Sequence, residues 1–354
     1  MNGKRLPELD ALKALGAFFV LMYHSQALSY GIEANFVTVW VRALFSTCCP
    51  LFFFVSGVLA VHGGSDVRKC AKSAGKLFLL TFFWAAVAWP VLQLQHGGVI
   101  SVGKWFSGVM TLELWRTNVF WFLPVLAALQ LLRPIVCSIR DCDNRLFRYL
   151  LIGALFVSFG YDALSRCLQV LQWISGSGAP MKLAGFIGYF MPLQGKVSWA
   201  LGYFLLGVWV SEQGNHQRHS LGTSIAAVVF GPLALAAYGV ASMHFTGEVA
   251  DVTFGGYGFA GTAVAVLGLH GLLIPLRSRT SLGKVLQFIG ENALAVYVLP
   301  WFVTYPLTQL VSSFALPVHR AAVACPICLA LIIGAALMGS ALAKNRVGKF
   351  ALTI

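Results

Sequence analysis

Charge is what this chain has least of. Asp, Glu, Lys and Arg make up 10% of its 354 residues, against about 25% in an ordinary soluble domain. Acidic groups are the scarcer kind, 12 against 25 Lys and Arg. The sequence also lacks an internal repeat, a low-complexity linker and a polar stretch long enough for an appended soluble domain. Without such a domain there is no surface on which basic and aromatic side chains could interleave, so the net charge of +13 calls for no nucleic-acid partner. The eight cysteines do not read as a disulfide framework. Cys48, Cys49, Cys325 and Cys328 lie inside apolar runs, and Cys70, Cys137 and Cys142 lie next to basic loops. Carboxylates and histidines nowhere gather at metal-ligand spacing, so no metal is expected.

What is there is apolar, 58% of all residues. Ten runs have membrane length, at approximately 11–28, 37–62, 76–95, 118–138, 147–164, 195–211, 221–243, 254–275, 286–308 and 320–342. Backbone groups in lipid are satisfied only in helices or closed barrels, and these runs lack the alternation of barrel strands. The expected fold is all-α: a polytopic membrane bundle of about ten transmembrane helices, forming one integral-membrane domain over residues 1–354. Basic residues divide unevenly between alternate loops. One set, from Lys4 and Arg5 to Lys344, Arg346 and Lys349, holds 17; the other, from Lys104 to Arg320, holds six; Lys13 and Arg42 lie within the runs. The excess places both termini in the cytoplasm and fits an anionic lipid surface. The N-terminus has the charge-then-apolar order of a secretory signal, but Glu8, Asp10 and nine later runs favour an uncleaved first helix.

That first helix carries Lys13 and His24. Eleven residues of helix rise roughly 16 Å, about half of a ~30 Å hydrocarbon core. Ionisable groups at membrane depth are expensive, so each is a candidate site. Helices 1 and 2 are expected to run antiparallel through a turn at Gly31 to Asn35, setting His24 level with Arg42 to Phe45 and Lys13 level with Ser56 and Gly57. His24 can serve as a general base near neutral pH. The plainer accounts stay open here: a core histidine bonded to a carbonyl, a snorkelling Lys13, and an Arg42 paired with a carbonyl or Glu33. Asp10 suits the positive end of helix 1 and can equally pair with Lys13 one turn on.

The neighbouring residues carry a resemblance. Leu9-Asp-Ala-Leu-Lys13, followed through Tyr23 to His24, resembles the first helix of the acyltransferase 3 family, with Lys13 in place of Arg. Pro50-Leu-Phe-Phe-Phe-Val-Ser56-Gly57 is similar to the family's second-helix signature. Phe120-Trp121-Phe-Leu-Pro124 with Leu132-Arg-Pro134, and Ile289-Gly-Glu-Asn through Tyr297, resemble two further family helices. Pro300 stands three residues after Tyr297, where many members have histidine, and a kink is expected there.

The resemblance implies transfer of an acyl group, most often acetyl, from cytoplasmic acyl-CoA to a hydroxyl of a surface polysaccharide or lipid-linked saccharide, in the bacterial inner membrane. No bound cofactor is implied; acetyl-CoA is a co-substrate. His24 would be the catalytic base, and Arg42 would offset charge on the carbonyl oxygen. Lys13, Arg68 and Lys69 would meet the phosphates of CoA. Asp10, Ser56, Trp121 and Tyr297 are expected to line the site, although small-residue packing explains Ser56-Gly57 and helix packing explains both aromatics. A glycan transporter or export factor is the alternative, and a structural envelope subunit a third reading. Gly256-Tyr-Gly-Phe-Ala-Gly261 fits a dinucleotide fingerprint in letters only, because no strand precedes it. His216 and His219 read as solvated loop residues, and His270 as core or interface packing.

Overall fold

The computed structural model describes residues 6–28, 35–95, 97–111, 119–189, 196–212, 220–253, 255–277 and 281–352. Its helices, in chain order, begin with α1 (Pro7–His24), α2 (Phe36–Phe45), α3 (Cys48–His62), α4 (Val67–Gln95), α5 (Val102–Met110) and α6 (Phe122–Cys142). There follow α7 (Asn144–Leu155), joined through a π-helical turn at Phe156–Gly160 to α8 (Tyr161–Ser175), then α9 (Ala179–Gly188), α10 (Lys196–Glu212), α11 (Leu221–Phe230) and α12 (Leu233–Thr246). The chain closes with α13 (Ala260–Leu273), α14 (Ser281–Glu291), α15 (Ala293–Val298), α16 (Trp301–Ser312), α17 (Pro317–Leu342) and α18 (Arg346–Leu352). The described residues hold no strand.

Six stretches among the described residues are long and apolar enough to cross a membrane: Phe36–His62, Val67–Gln95, Phe122–Cys142, Asn144–Ser175, Leu221–Thr246 and Val318–Leu342. Much of their surface faces outward as Leu79, Ile152, Phe156, Phe230 and Leu337, as lipid-facing helices require. The protein is therefore an all-helical, multi-pass membrane bundle. The other expected runs are shorter or broken. Ser198–Ser211 and Ala260–Leu273 are apolar but brief. The run expected at 286–308 is three pieces, α14, α15 and α16, interrupted at Asn292 and at Leu299–Pro300. Pro300 caps α16 with φ −61°, so the kink expected at this proline is a full break. The sequence placed one helix start at 254; instead a turn occupies 255–258 and α13 begins at Ala260.

α1 lies at the centre of the bundle. Twelve of its 18 residues are buried, including Glu8 and Asp10, so its two carboxylates are enclosed by protein rather than by lipid or water. Glycines set its neighbours. A Cβ on Gly16 would press on the Cys48 carbonyl and Phe52 of α3, and one on Gly290 would strike the backbone of Asp10. The same device joins α3 to α10: Gly57 lies against the Phe204 carbonyl, and Gly207 against the Phe54 carbonyl. Such approach lets helices in lipid gain contact that larger side chains would forbid.

Candidate functional site

His24 is the last residue of α1, and the chain turns sharply beyond it. Ser25 Oγ donates to the Met22 carbonyl at 2.8 Å, and Gln26 takes a left-handed backbone with φ 58°. For a residue other than glycine that conformation costs about 1–3 kcal/mol and persists only where its surroundings impose it. Thr308 of α16 ties the same end down: its Oγ1 lies 2.9 Å from the carbonyls of both His24 and Thr304. The expected turn residues Gly31 to Ala34, and with them Glu33, lie outside the described residues.

The His24 side chain is half-buried and borders a recess walled by Ala17, Val20 and Leu21 of α1 and by Val296, Tyr297, Pro300, Trp301 and Thr304. The space admits about one water molecule. The break at Pro300 produces this wall. It turns α16 so that the Trp301 indole meets the imidazole edge to face, with ring centres 4.9 Å apart and planes at 84°. The Trp301 Nε1 atom is buried and has no acceptor among the described residues. Tyr297 closes the opposite side and packs on Phe122 and Phe52, at 4.9 Å and 5.7 Å.

Arg42 comes to the same end of α1, on a different face. Its guanidinium lies 5.4 Å from the centre of the Tyr23 ring and donates to the Leu28 carbonyl at 3.2 Å. These groups, with Met22, Gln26 and Phe45, border a second small cavity. The contact of Arg42 with Tyr23, the residue before His24, fits to within a turn the antiparallel register expected for helices 1 and 2.

At the other end of α1, Lys13 Nζ pairs with Asp10 Oδ1 at 2.6 Å, the two side chains 21% and 9% exposed. Arg68 and Lys69 are exposed at the start of α4, where the Asp66 carboxylate accepts from the Lys69 amide at 3.0 Å. Ser56 Oγ donates to the Phe52 carbonyl at 2.8 Å, a bond within its own helix. Trp121 sits in an aromatic cluster with Trp199, Phe53 and Tyr257, at 5.4, 6.1 and 6.3 Å. The His270 ring packs on Phe54 at 5.3 Å, and His216 and His219 lie outside the described residues.

The structure thus joins His24 with Tyr297, pairs Lys13 with Asp10, and sets Arg42, Ser56 and Trp121 in neighbouring but separate surroundings. Trp301, Thr304 and Thr308 were not foreseen. Their signal lay in the four-residue spacing of Thr304 and Thr308 on α16, with Trp301 three residues before Thr304, which sets all three on one helical face.

No curated protein and no solved structure matches the chain. The profile of the acyltransferase domain family does, over residues 6–339. That match takes in the charged first helix, the glycine seam and the broken helices around His24, and the chain belongs to the acyltransferase 3 family.

Proposed function

We propose that this protein is an O-acyltransferase that moves an acetyl group from cytoplasmic acetyl-CoA to a hydroxyl of a surface polysaccharide or lipid-linked sugar. The observation that carries the reading is His24 at the far end of a central helix whose near end is charged, beside a recess bounded by broken helices. In this reading the six long crossings are joined by α1, α10, α13 and the α14–α16 relay to give ten. The basic loops then place both termini in the cytoplasm of a bacterial inner membrane. Acetyl-CoA approaches from that side. Arg68 and Lys69 attract its phosphates as exposed cations, and Lys13, paired with Asp10, offers a charge farther in.

The saccharide hydroxyl arrives from the opposite side and places its proton on the His24 imidazole as its oxygen attacks the thioester carbon. Arg42 of α2, packed on the ring of Tyr23 next to His24, contributes a cationic field that favours the negative charge formed. Tyr297 and the Thr308 contact to the His24 carbonyl restrict the imidazole to a narrow range of positions. A recess this small must widen when both substrates enter, and the breaks at Asn292 and Pro300 are where the wall can yield.

The test is thiol release from acetyl-CoA by detergent-purified protein given envelope glycan extract, with mass analysis of the glycan. Acetylated glycan with wild type and none with His24→Ala is expected. Glycan that stays unmodified while free CoA fails to accumulate would remove the assignment.

A further inference from the structure

The geometry points to Trp301 as a catalytic hydrogen-bond donor to the oxygen of the thioester carbonyl, an inference that rests on the acyl transfer proposed above. Buried polar groups in folded proteins are nearly always paired, and one that is not needs an explanation. The buried indole of Trp84 follows the rule, donating to the Ala351 carbonyl at 3.1 Å, and the more exposed Trp40 and Trp105 donate too, to Val229 at 2.9 Å and Ala86 at 3.0 Å. The buried Nε1 of Trp301 has no such acceptor among the described residues, and its ring stands on the wall of the His24 recess.

An indole N–H can only donate. It cannot take a proton from the acceptor or attack the thioester, so its chemistry beside a base is restricted to holding an oxygen. The recess has the size for that, with room for about one water molecule, or one carbonyl oxygen in its place. The edge-to-face contact with the imidazole sets base and donor side by side, and Pro300, which starts α16, fixes the backbone from which the indole projects.

The step balances. The acceptor oxygen forms a bond to the carbonyl carbon while its proton passes to His24, and the carbonyl π pair moves onto oxygen, where the Trp301 N–H receives it. Collapse restores the carbonyl and breaks the carbon–sulfur bond. The departing thiolate takes the proton from the imidazolium, leaving CoA thiol, ester and neutral His24. A donor that meets charge only as it develops speeds the chemical step without tightening ground-state binding.

The experiment compares wild type, Trp301→Phe and a protein carrying 3-benzothienylalanine at position 301, which keeps the bicyclic shape and lacks the N–H. Acetyl-CoA is the donor, envelope glycan extract the acceptor, and kcat and donor KM are read separately. Both variants are expected to lose about 10²–10³ in kcat, the range for removal of one such donor, with KM within about twofold. A benzothienyl protein turning over at the wild-type rate overturns the inference, whatever the phenylalanine variant does, because only the N–H has gone. A loss confined to KM overturns it too, since it makes the indole a binding surface. Wild type that transfers nothing refutes the acyl-transfer reading itself and takes this one with it.

Discussion

The seam between α3 and α10 and the recess between α1 and α16 both include motif residues, Gly57 in one and His24 and Tyr297 in the other, yet they are opposite kinds of structure. In the seam two unbroken helices touch backbone to backbone at Gly57 and Gly207. Polar groups there are consumed locally: Ser56 bonds its own helix, and Tyr203 Oη donates to the Tyr257 carbonyl at 2.9 Å. Around the recess the helices are broken, Gln26 is held in a left-handed conformation, and an indole N–H has no acceptor among the described residues. The seam spends its residues on contact, whereas the recess leaves polar groups available at a cost in stability. Motif membership alone therefore does not separate a packing residue from a chemical one. Local satisfaction of the polar atoms does.

Four substitutions can break or sharpen that contrast. The largest effect is expected at the recess: His24→Ala should lower turnover by about 10²–10⁴, the range of general-base assistance, while the melting midpoint in detergent stays near that of wild type. An equal loss of both would make His24 a packing residue. Next comes the seam, where Gly57→Leu forces a side chain into the Phe204 carbonyl and should cost about 3 kcal/mol or more. Aggregation on size-exclusion chromatography is the readout, and a monodisperse, fully stable variant would show that α3 and α10 can separate freely.

Lys13→Met removes the partner of a mostly buried Asp10. The penalty should be about 1–2 kcal/mol, below the ~3–5 kcal/mol of a fully buried pair because solvent reaches Lys13. Donor KM should rise with it and be largely restored in Lys13→Arg, so an unchanged KM in Lys13→Met would confine the lysine to structure. The smallest effect belongs to Ser56→Ala, which loses only a bond to its own helix: stability within about 1 kcal/mol and turnover within twofold. A large loss of turnover there would move Ser56 from the seam into the chemistry.

Much of this was readable in advance, and the failures are as instructive. An acid, a lysine and a histidine along one apolar helix already flagged α1, because charge at membrane depth is rare for energetic reasons. Gly57 could be read as a packing residue from its size. For Arg42 only a height level with His24 was legible, since antiparallel register fixes height along a helix while a step of one residue turns a side chain by about 100°; its contact with the Tyr23 ring was not readable. In the ninth run a kink at Pro300 was expected, but its full break and the second break at Asn292 were not, because both interrupt hydrophobicity too briefly to show in a membrane-length window.

The sequence by itself determined that this chain lies in a membrane as helices, that α1 is its costly element, and to which family it belongs; hydropathy and motif spacing are local properties and survive without coordinates. Only the tertiary structure decided that Trp301 faces His24 and that Thr308 holds the His24 carbonyl. Those pairings depend on how three short helices fold back upon α1, and the angle of each return is set by contacts between residues far apart in the chain.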